Sequence, residues 1–158
     1  MSELASSAQK VQDAATALGL DIAVAEMAQP TRTAEEAAAA CGVTVGQIVK
    51  SLVFLGAQTG KPYLLLVSGT NRVNETGVAA HLGEGVTRPD GRSVREMTGF
   101  AIGGIPPFGH TTPLATFMDQ DLLQYDVVWA AAGTPKAVFS ADPKKLRDAV
   151  QATVISVV

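Results

Sequence analysis

The sequence predicts an α+β fold with a mixed or mainly antiparallel sheet, and three observations carry that reading. Strand signals outnumber helix signals, they follow one another closely, and no regular strand–helix alternation runs through the chain. A doubly wound parallel sheet is therefore not expected. At 158 residues, with 47% apolar and 17% charged positions, the chain is long enough to bury a core as a single domain over 1–158. No repeat period or low-complexity linker divides it.

The elements follow in order. Residues 7–18 read as a helix with Ser7 as cap and Gly19 as stop, and Ile22 to Glu26 as a short strand. Thr33-Ala34-Glu35-Glu36 has capping-box spacing and leads into Ala37 to Cys41, ended by Gly42. A short turn or helix at Val45 to Ile48 precedes a strand from Lys50 to Leu55. Gly56 to Pro62 then connects, hairpin-like, to the buried strand Tyr63 to Ser68. Asn74 to Leu82 is a helix stopped by Gly83; Asp90 caps another through Glu96, closed by Gly99. Strands are expected at Leu114 to Met118, Val127 to Ala131 and Ala137 to Ser140. Asp142-Pro143 starts a last helix through Val150, and Thr153 to Val158 reads as a final strand.

Composition narrows the function classes. The formal net charge is −3 and the pI about 5.3, so no broad basic footprint for DNA is expected, although a few local Lys and Arg suffice to grip a strand end. No apolar run approaches the roughly 20 residues that span a bilayer, so no membrane association is expected. The stretch Met1 to Ser7 lacks a basic segment followed by an apolar core, and no export signal is expected. One cysteine, Cys41, forms no internal disulfide; a cytoplasmic setting follows, with Cys41 a small buried residue.

The chemistry-bearing stretches are few. Gly99 to His110 runs from an apolar segment into Gly103-Gly104-Ile105-Pro106-Pro107-Phe108-Gly109-His110. Proline fixes φ and lacks an N–H, while glycine lets backbone approach a ligand closely. The result is either a rigid corner at the rim of the core, or a stiff loop offering the amides of Gly103, Gly104, Ile105, Phe108 and Gly109 to a carbonyl oxygen or an anion. Lys50 stands inside the apolar run Ile48 to Leu55, where it either snorkels at a sheet edge or points its ammonium into a cleft. Strand alternation sends Ser51 to the opposite face, which makes a Ser–Lys nucleophilic pair a poor fit.

His81 suits a helix C-terminus. His110 is either an exposed loop histidine or a ligand donor and proton shuttle. Neither has zinc spacing, and Asp119-Gln120-Asp121 reads as a polar turn between strands sooner than a metal pair, so no metal or cofactor is expected. No nucleophile elbow, phosphate-binding loop or dinucleotide fingerprint is present.

Gly42-Val43-Thr44-Val45-Gly46-Gln47-Ile48-Val49-Lys50-Ser51-Leu52-Val53 resembles the lysine motif of the YbaK/prolyl-tRNA-synthetase-associated editing domains. Thr98 to Gly109 resembles that family's glycine-proline loop, and Val128 to Val138 falls where the family has a strand and a glycine turn. The resemblance implies a barrel-like mixed sheet flanked by helices. It also implies metal-independent trans-editing: hydrolysis of mischarged aminoacyl-tRNA, held by its acceptor end, with prolyl-tRNA synthetase as a further partner. Lys50 matches the family's functional lysine, and Gly103, Gly104, Ile105 and Pro107 lie in its Gly-x-x-x-P loop. Phe108, Gly109, His110, Ser51 and Gly133 then become candidates for substrate contact.

Some cysteinyl-tRNA deacylases of the family carry serine where Pro106 stands, and a glycine-lysine-arginine turn where this chain has Gly133-Thr134-Pro135-Lys136. Alanine, cysteine or another small amino acid on tRNA for proline is thus the implied substrate. A non-catalytic module that binds an amino acid or a tRNA end is the alternative, told apart by whether free amino acid is released with turnover.

Overall fold

In the computed structural model, which describes residues 5–158, five helices pack against an eight-stranded sheet. Met1 to Leu4, part of the segment read for an export signal, lie outside the described residues. Helix α1 (Ser6–Ala17) begins a residue earlier than expected, with Ala5 at its N-cap and no side-chain cap, so Ser7 lies inside the first turn. Only Ala25–Glu26 (β1) pairs as a strand; Gln12 reaches across to hold the Ile22 carbonyl (3.0 Å) and the Val24 amide (2.9 Å). One side-chain amide thereby satisfies the backbone groups that a longer ladder would have paired.

Helix α2 (Ala34–Cys41) has the reciprocal Thr33–Glu36 capping box, and Gly42 closes it in the left-handed conformation. A tight turn at Val45–Gln47 enters β2 (Ile48–Gly56), which hairpins into β3 (Pro62–Ser68). Helix α3 (Glu75–Leu82) is capped by Asn74, and the short β4 (Val86–Thr87), which has no hydrophobic pattern to announce it, pairs with the end of β2. Helix α4 (Gly91–Thr98) is capped by Asp90. Strands β5 (Ala115–Asp119), β6 (Val128–Ala131) and β7 (Ala137–Ala141) follow, then α5 (Pro143–Val150) on its Asp142 cap and β8 (Thr153–Ile155), shorter than expected.

The sheet runs β1-β7-β6-β2-β3-β5-β8, with β4 on the flank of β2. Pairs β1·β7, β7·β6, β2·β3 and β2·β4 are antiparallel; β6·β2, β3·β5 and β5·β8 are parallel. The mixed sheet is as expected. Alternation divides its side chains between two faces. Val49, Val53, Leu64, Leu66, Met118 and Phe139 pack with Ala8, Val11 and Ala15 of α1, Leu146 of α5, and Ile105 and Phe108 of the glycine-proline loop. Phe54, Tyr63, Leu65 and Val67 pack with Val78 of α3 on the other side, and Ala34, Ala37 and Ala38 of α2 cover Ile48 and Trp129. Among the described residues, no helix is long and apolar enough to cross a membrane.

A buried carboxylate ties the β2–β3 hairpin to the start of β4. Glu84, 8% exposed, accepts from the Gln58 and Thr59 amides (3.0 Å each), the Thr59 hydroxyl (2.7 Å) and the Tyr63 hydroxyl (2.8 Å). These donors, the Thr59 hydroxyl foremost, hold its pKa at about 2 against an ordinary 4.5. A carboxyl with a depressed folded pKa contributes stability above its unfolded value and loses it as pH falls toward the folded one. Glu84→Gln should therefore lower the urea midpoint at pH 7, with the gap to the parent narrowing between pH 4.5 and pH 2. A gap that stays constant across that range would contradict this role.

Candidate functional site

The site arises where the sheet comes apart. Strand β2 is paired with β3 from Val49 to Leu55, but on its other edge β6 pairs only with Ile48 and Val49, and β4 only with Leu55 and Gly56. Between those contacts, Lys50 to Phe54 has no strand partner on that side. A cleft of about 810 Å³ lies there. Its walls come from the start of α2 (Thr33, Ala34, Glu35), the turn after β3 (Gly69 to Arg72), Arg88, the loop residues Ile102, Gly103 and Ile105, and Trp129 to Ala131 of β6.

Lys50 lies on the cleft lining, half-buried, and its Nζ donates to the Asn71 carbonyl at 2.5 Å. Burial pushes its pKa down, Glu35 opposes this, Arg72 adds to the lowering, and Asp119 raises it. The ammonium has three donors and one protein acceptor among the described residues, which leaves capacity for a ligand. The snorkelling alternative is set aside: this lysine turns inward. Ser51 also lines the cleft, and its Oγ is buried without a hydrogen-bond partner among the described residues. A buried hydroxyl without a partner costs about 1–3 kcal/mol, a cost that a ligand's polar atom would remove.

The glycine-proline loop serves the cleft with only part of its length. Gly103 sits at φ +95° and backs onto Arg32, whose Cγ would lie 3.5 Å from an added Cβ. The Gly104 amide, expected to be free, donates instead to the Ala101 carbonyl at 3.0 Å, closing a turn. The amides of Gly103 and Ile105 meet no acceptor among the described residues, and both residues line the cleft. Two main-chain donors on the rim of a half-buried cavity can hold a carbonyl oxygen.

Beyond Ile105 the chain leaves the cleft. Pro107, Phe108, Gly109 and His110 line a separate hollow of about 540 Å³ against Ala14, Leu18 and Val150. Phe108 is buried with its ring 5.5 Å from that of Phe139, and His110 Nε2–H donates to the Pro106 carbonyl at 2.7 Å. Burial pushes the His110 pKa down, and its bond to the Pro106 carbonyl opposes that shift. The structure thus brings Lys50, Ser51, Gly103 and Ile105 together and sets Pro107, Phe108, Gly109 and His110 apart from them. Pro107 and His110 stiffen the loop from behind, with Pro106 as its acceptor.

Gly104 and Gly133 anchor it from below. The Gly133 amide donates to the Gly104 carbonyl at 2.8 Å, and a Cβ on Gly104 would come within 3.1 Å of Gly133 C and Thr134 N. Gly133, at φ +95°, lies so close to α1 that its own Cβ would sit 2.6 Å from the Ser7 carbonyl oxygen. Gly133 is hence a support under the loop and does not line the cleft.

Residues missed in the sequence are Arg32, Arg72 and Arg88; Arg88 is paired with Glu75 at 2.9 Å, and Arg32 and Arg72 with Lys50 make the lining cationic against the single acid Glu35, in a chain whose net charge is −3. Asn71 was missed as well. The only local signal was the polar turn Gly69-Thr70-Asn71-Arg72 after a buried strand. Among the described residues no group of three His, Cys, Asp or Glu side chains could hold a metal ion, and Asp119 and Asp121 instead cap a turn and hold Asn71.

A family model described as an aminoacyl-tRNA editing domain matches residues 28–149. A solved structure of a proposed trans-editing enzyme for prolyl tRNA synthetase is 49% identical, superposes with a TM-score of 0.92 and covers 98% of each chain. The proline–tRNA ligase of Limosilactobacillus fermentum is 33% identical over 110 residues, which is 66% of this chain and 19% of the ligase. EbsC of Enterococcus faecalis, a proposed Cys-tRNA(Pro)/Cys-tRNA(Cys) deacylase, is 28% identical over 102 residues, 64% of this chain and 62% of its own length.

The loop was expected to lie at the rim of the core, yet Gly104 and Ile105 are buried and Ile105 packs within it. Gly104→Val should thus destabilise the protein by about 1–3 kcal/mol through backbone overpacking against Gly133 and Thr134, besides disturbing the cleft. Urea unfolding checks this; an unchanged midpoint would show that the loop is not packed as described.

Proposed function

Since the chain belongs to the aminoacyl-tRNA editing domain family, we propose that it hydrolyses the ester joining a small amino acid to the acceptor end of a mischarged tRNA. Transfer RNA for proline carrying alanine, cysteine or another small amino acid is the substrate this reading favours, with prolyl-tRNA synthetase as the partner whose errors it would correct. The observation that carries the reading is a cationic cleft lined by Lys50 and by two loop residues, Gly103 and Ile105, whose amides meet no acceptor among the described residues.

An aminoacyl ester is already activated compared with an amide, so positioning and oxyanion stabilisation suffice for much of the rate. In this reading the Gly103 and Ile105 amides hold the ester carbonyl oxygen. Lys50 anchors the terminal phosphate or polarises the ester, while Arg32 and Arg72 receive the nearby backbone charge. Water adds to the carbonyl carbon, the carbon–oxygen bond to the ribose breaks, and the ribose oxygen takes up the proton. The neighbouring ribose hydroxyl, or a second water, acts as base. Ser51 supplies a hydrogen bond to the aminoacyl group, and the apolar walls limit its size. No protein nucleophile is invoked, which suits Lys50 and Ser51 on opposite faces of β2.

A panel of mischarged tRNAs, with release of free amino acid followed at substoichiometric protein, tests the proposal. Binding without turnover on every substrate would overturn it in favour of a binding module. On the best substrate, Lys50→Ala should lose about 30- to 150-fold in kcat/KM, as expected for about 2–3 kcal/mol from one charge-assisted contact. Near-parental turnover by a folded Lys50→Ala protein would remove Lys50 from the chemistry.

Ser51→Ala gives an opposite pairing of effects. It should leave stability equal or slightly higher, because an unpartnered buried hydroxyl is lost, and should lower kcat/KM by about five- to tenfold. A loss of stability with unchanged kinetics would mean that Ser51 has only a packing role.

A further inference from the structure

Behind the cleft, and outside its lining, lies a buried acid. Asp119 closes β5 and is 1% exposed. Because β5 runs parallel to β3 with Leu66 opposite Met118, the Asp119 carboxylate arrives beside the end of β3. Its Oδ2 accepts from the Ser68 amide at 3.0 Å and from Asn71 Nδ2 at 2.8 Å. Its Oδ1 accepts from the Asp121 amide at 2.9 Å, and Asp121 Oδ2 takes a further bond from Asn71 Nδ2 at 2.8 Å.

The Asn71 side chain is thus clasped by two carboxylates, while its amide N–H closes a turn onto the Ser68 carbonyl at 2.9 Å. With its side-chain Nδ2 and its backbone N–H both engaged, its main-chain carbonyl oxygen is held as the acceptor for Lys50 Nζ. Capping the turn that follows β5 needs only Oδ1 of Asp119. The other oxygen turns back toward the cleft wall, and a positioned ammonium is what lies at the end of that chain of bonds.

We propose that Asp119 is a positioning residue: by clasping Asn71 it fixes the carbonyl that sets where the Lys50 ammonium stands. This rests on the editing function only for its kinetic readout. The charged groups that act on the Lys50 ammonium are Glu35, Arg72 and Asp119, so removal of the Asp119 charge also lowers the pH at which Lys50 deprotonates.

The test uses Asp119→Asn and Asn71→Ala, the second keeping every backbone bond of the turn should the first not fold. Each should lower kcat about tenfold with KM within about twofold. In the Lys50→Ala background neither should lower the rate further, since the interaction they support is gone. Separately, lysines are dimethylated with ¹³C, and the Lys50 signal is identified by its loss in Lys50→Arg. That signal should shift in both variants, with its titration midpoint lowered in Asp119→Asn. An unmoved Lys50 signal, or an equal rate loss with and without Lys50, would overturn the proposal. If the parent protein deacylates nothing, the editing reading fails while the Lys50 signal still decides the positioning role.

Discussion

Everything distinctive about this protein depends on an interruption in backbone pairing. Along the middle of β2 the ladder to β6 stops after Val49 and the ladder to β4 begins only at Leu55. Backbone N–H and C=O groups need partners when buried, so a strand left open in mid-sheet must face a space that polar groups can share. The cleft is that space. It also explains how residues from both faces of the sheet reach one cavity: Lys50 and Leu52 from one side, Ser51 and Val53 from the other, with Val94 and Ile105 closing the gap from beyond.

The opening is kept from collapsing by unusually close backbone contact behind it. Gly104 rests on Gly133, where a Cβ would be tight at 3.1 Å, and Gly133 rests on Ser7 of α1, where a Cβ at 2.6 Å has no room. Pro106 and Pro107 restrict the path of the loop as it leaves, and His110 fastens it by its bond to Pro106. Rigid backing of this kind lets two amides remain without protein acceptors at the cleft wall. A flexible loop would turn them toward other carbonyls.

Much of this was legible in the sequence where the controlling interactions are local. The caps at Thr33, Asn74, Asp90 and Asp142 act within three residues of themselves, and all four helices they start were read correctly in kind. Lys50 stood out because a charge within an apolar strand demands an explanation. The paired glycines and prolines announced a stiff loop for the same reason. What escaped was set by distant partners. Arg32, Arg72 and Arg88 are ordinary surface arginines until the gap in the sheet gathers them. The Gly104 amide looked free because its partner, Ala101, depends on a turn that no local pattern specifies. Phe108 and His110, candidates for substrate contact in the sequence, line a separate hollow because the chain leaves the cleft beyond Ile105. At β1, Gln12 replaced a ladder by a side chain, which alternation cannot foresee.

The parallel register of β2 with β6, Ile48 opposite Trp129 and Val49 opposite Ala130, has a consequence for how the molecule comes into being. Parallel neighbours require a crossover, and here the crossover contains most of the chain between them, including β3 to β5 and the whole glycine-proline loop. Such long-range pairings close late and slowly, because the entropy of ordering the intervening segment precedes the reward. During synthesis the β2–β3 hairpin can form soon after it is made, whereas the far wall of the cleft waits for β6, after the whole crossover has been made. The polypeptide therefore passes through a stage in which Lys50 and its strand exist but enclose nothing. Shape at the site, and with it any discrimination by size, depends on the long-range β2–β6 pairing having closed.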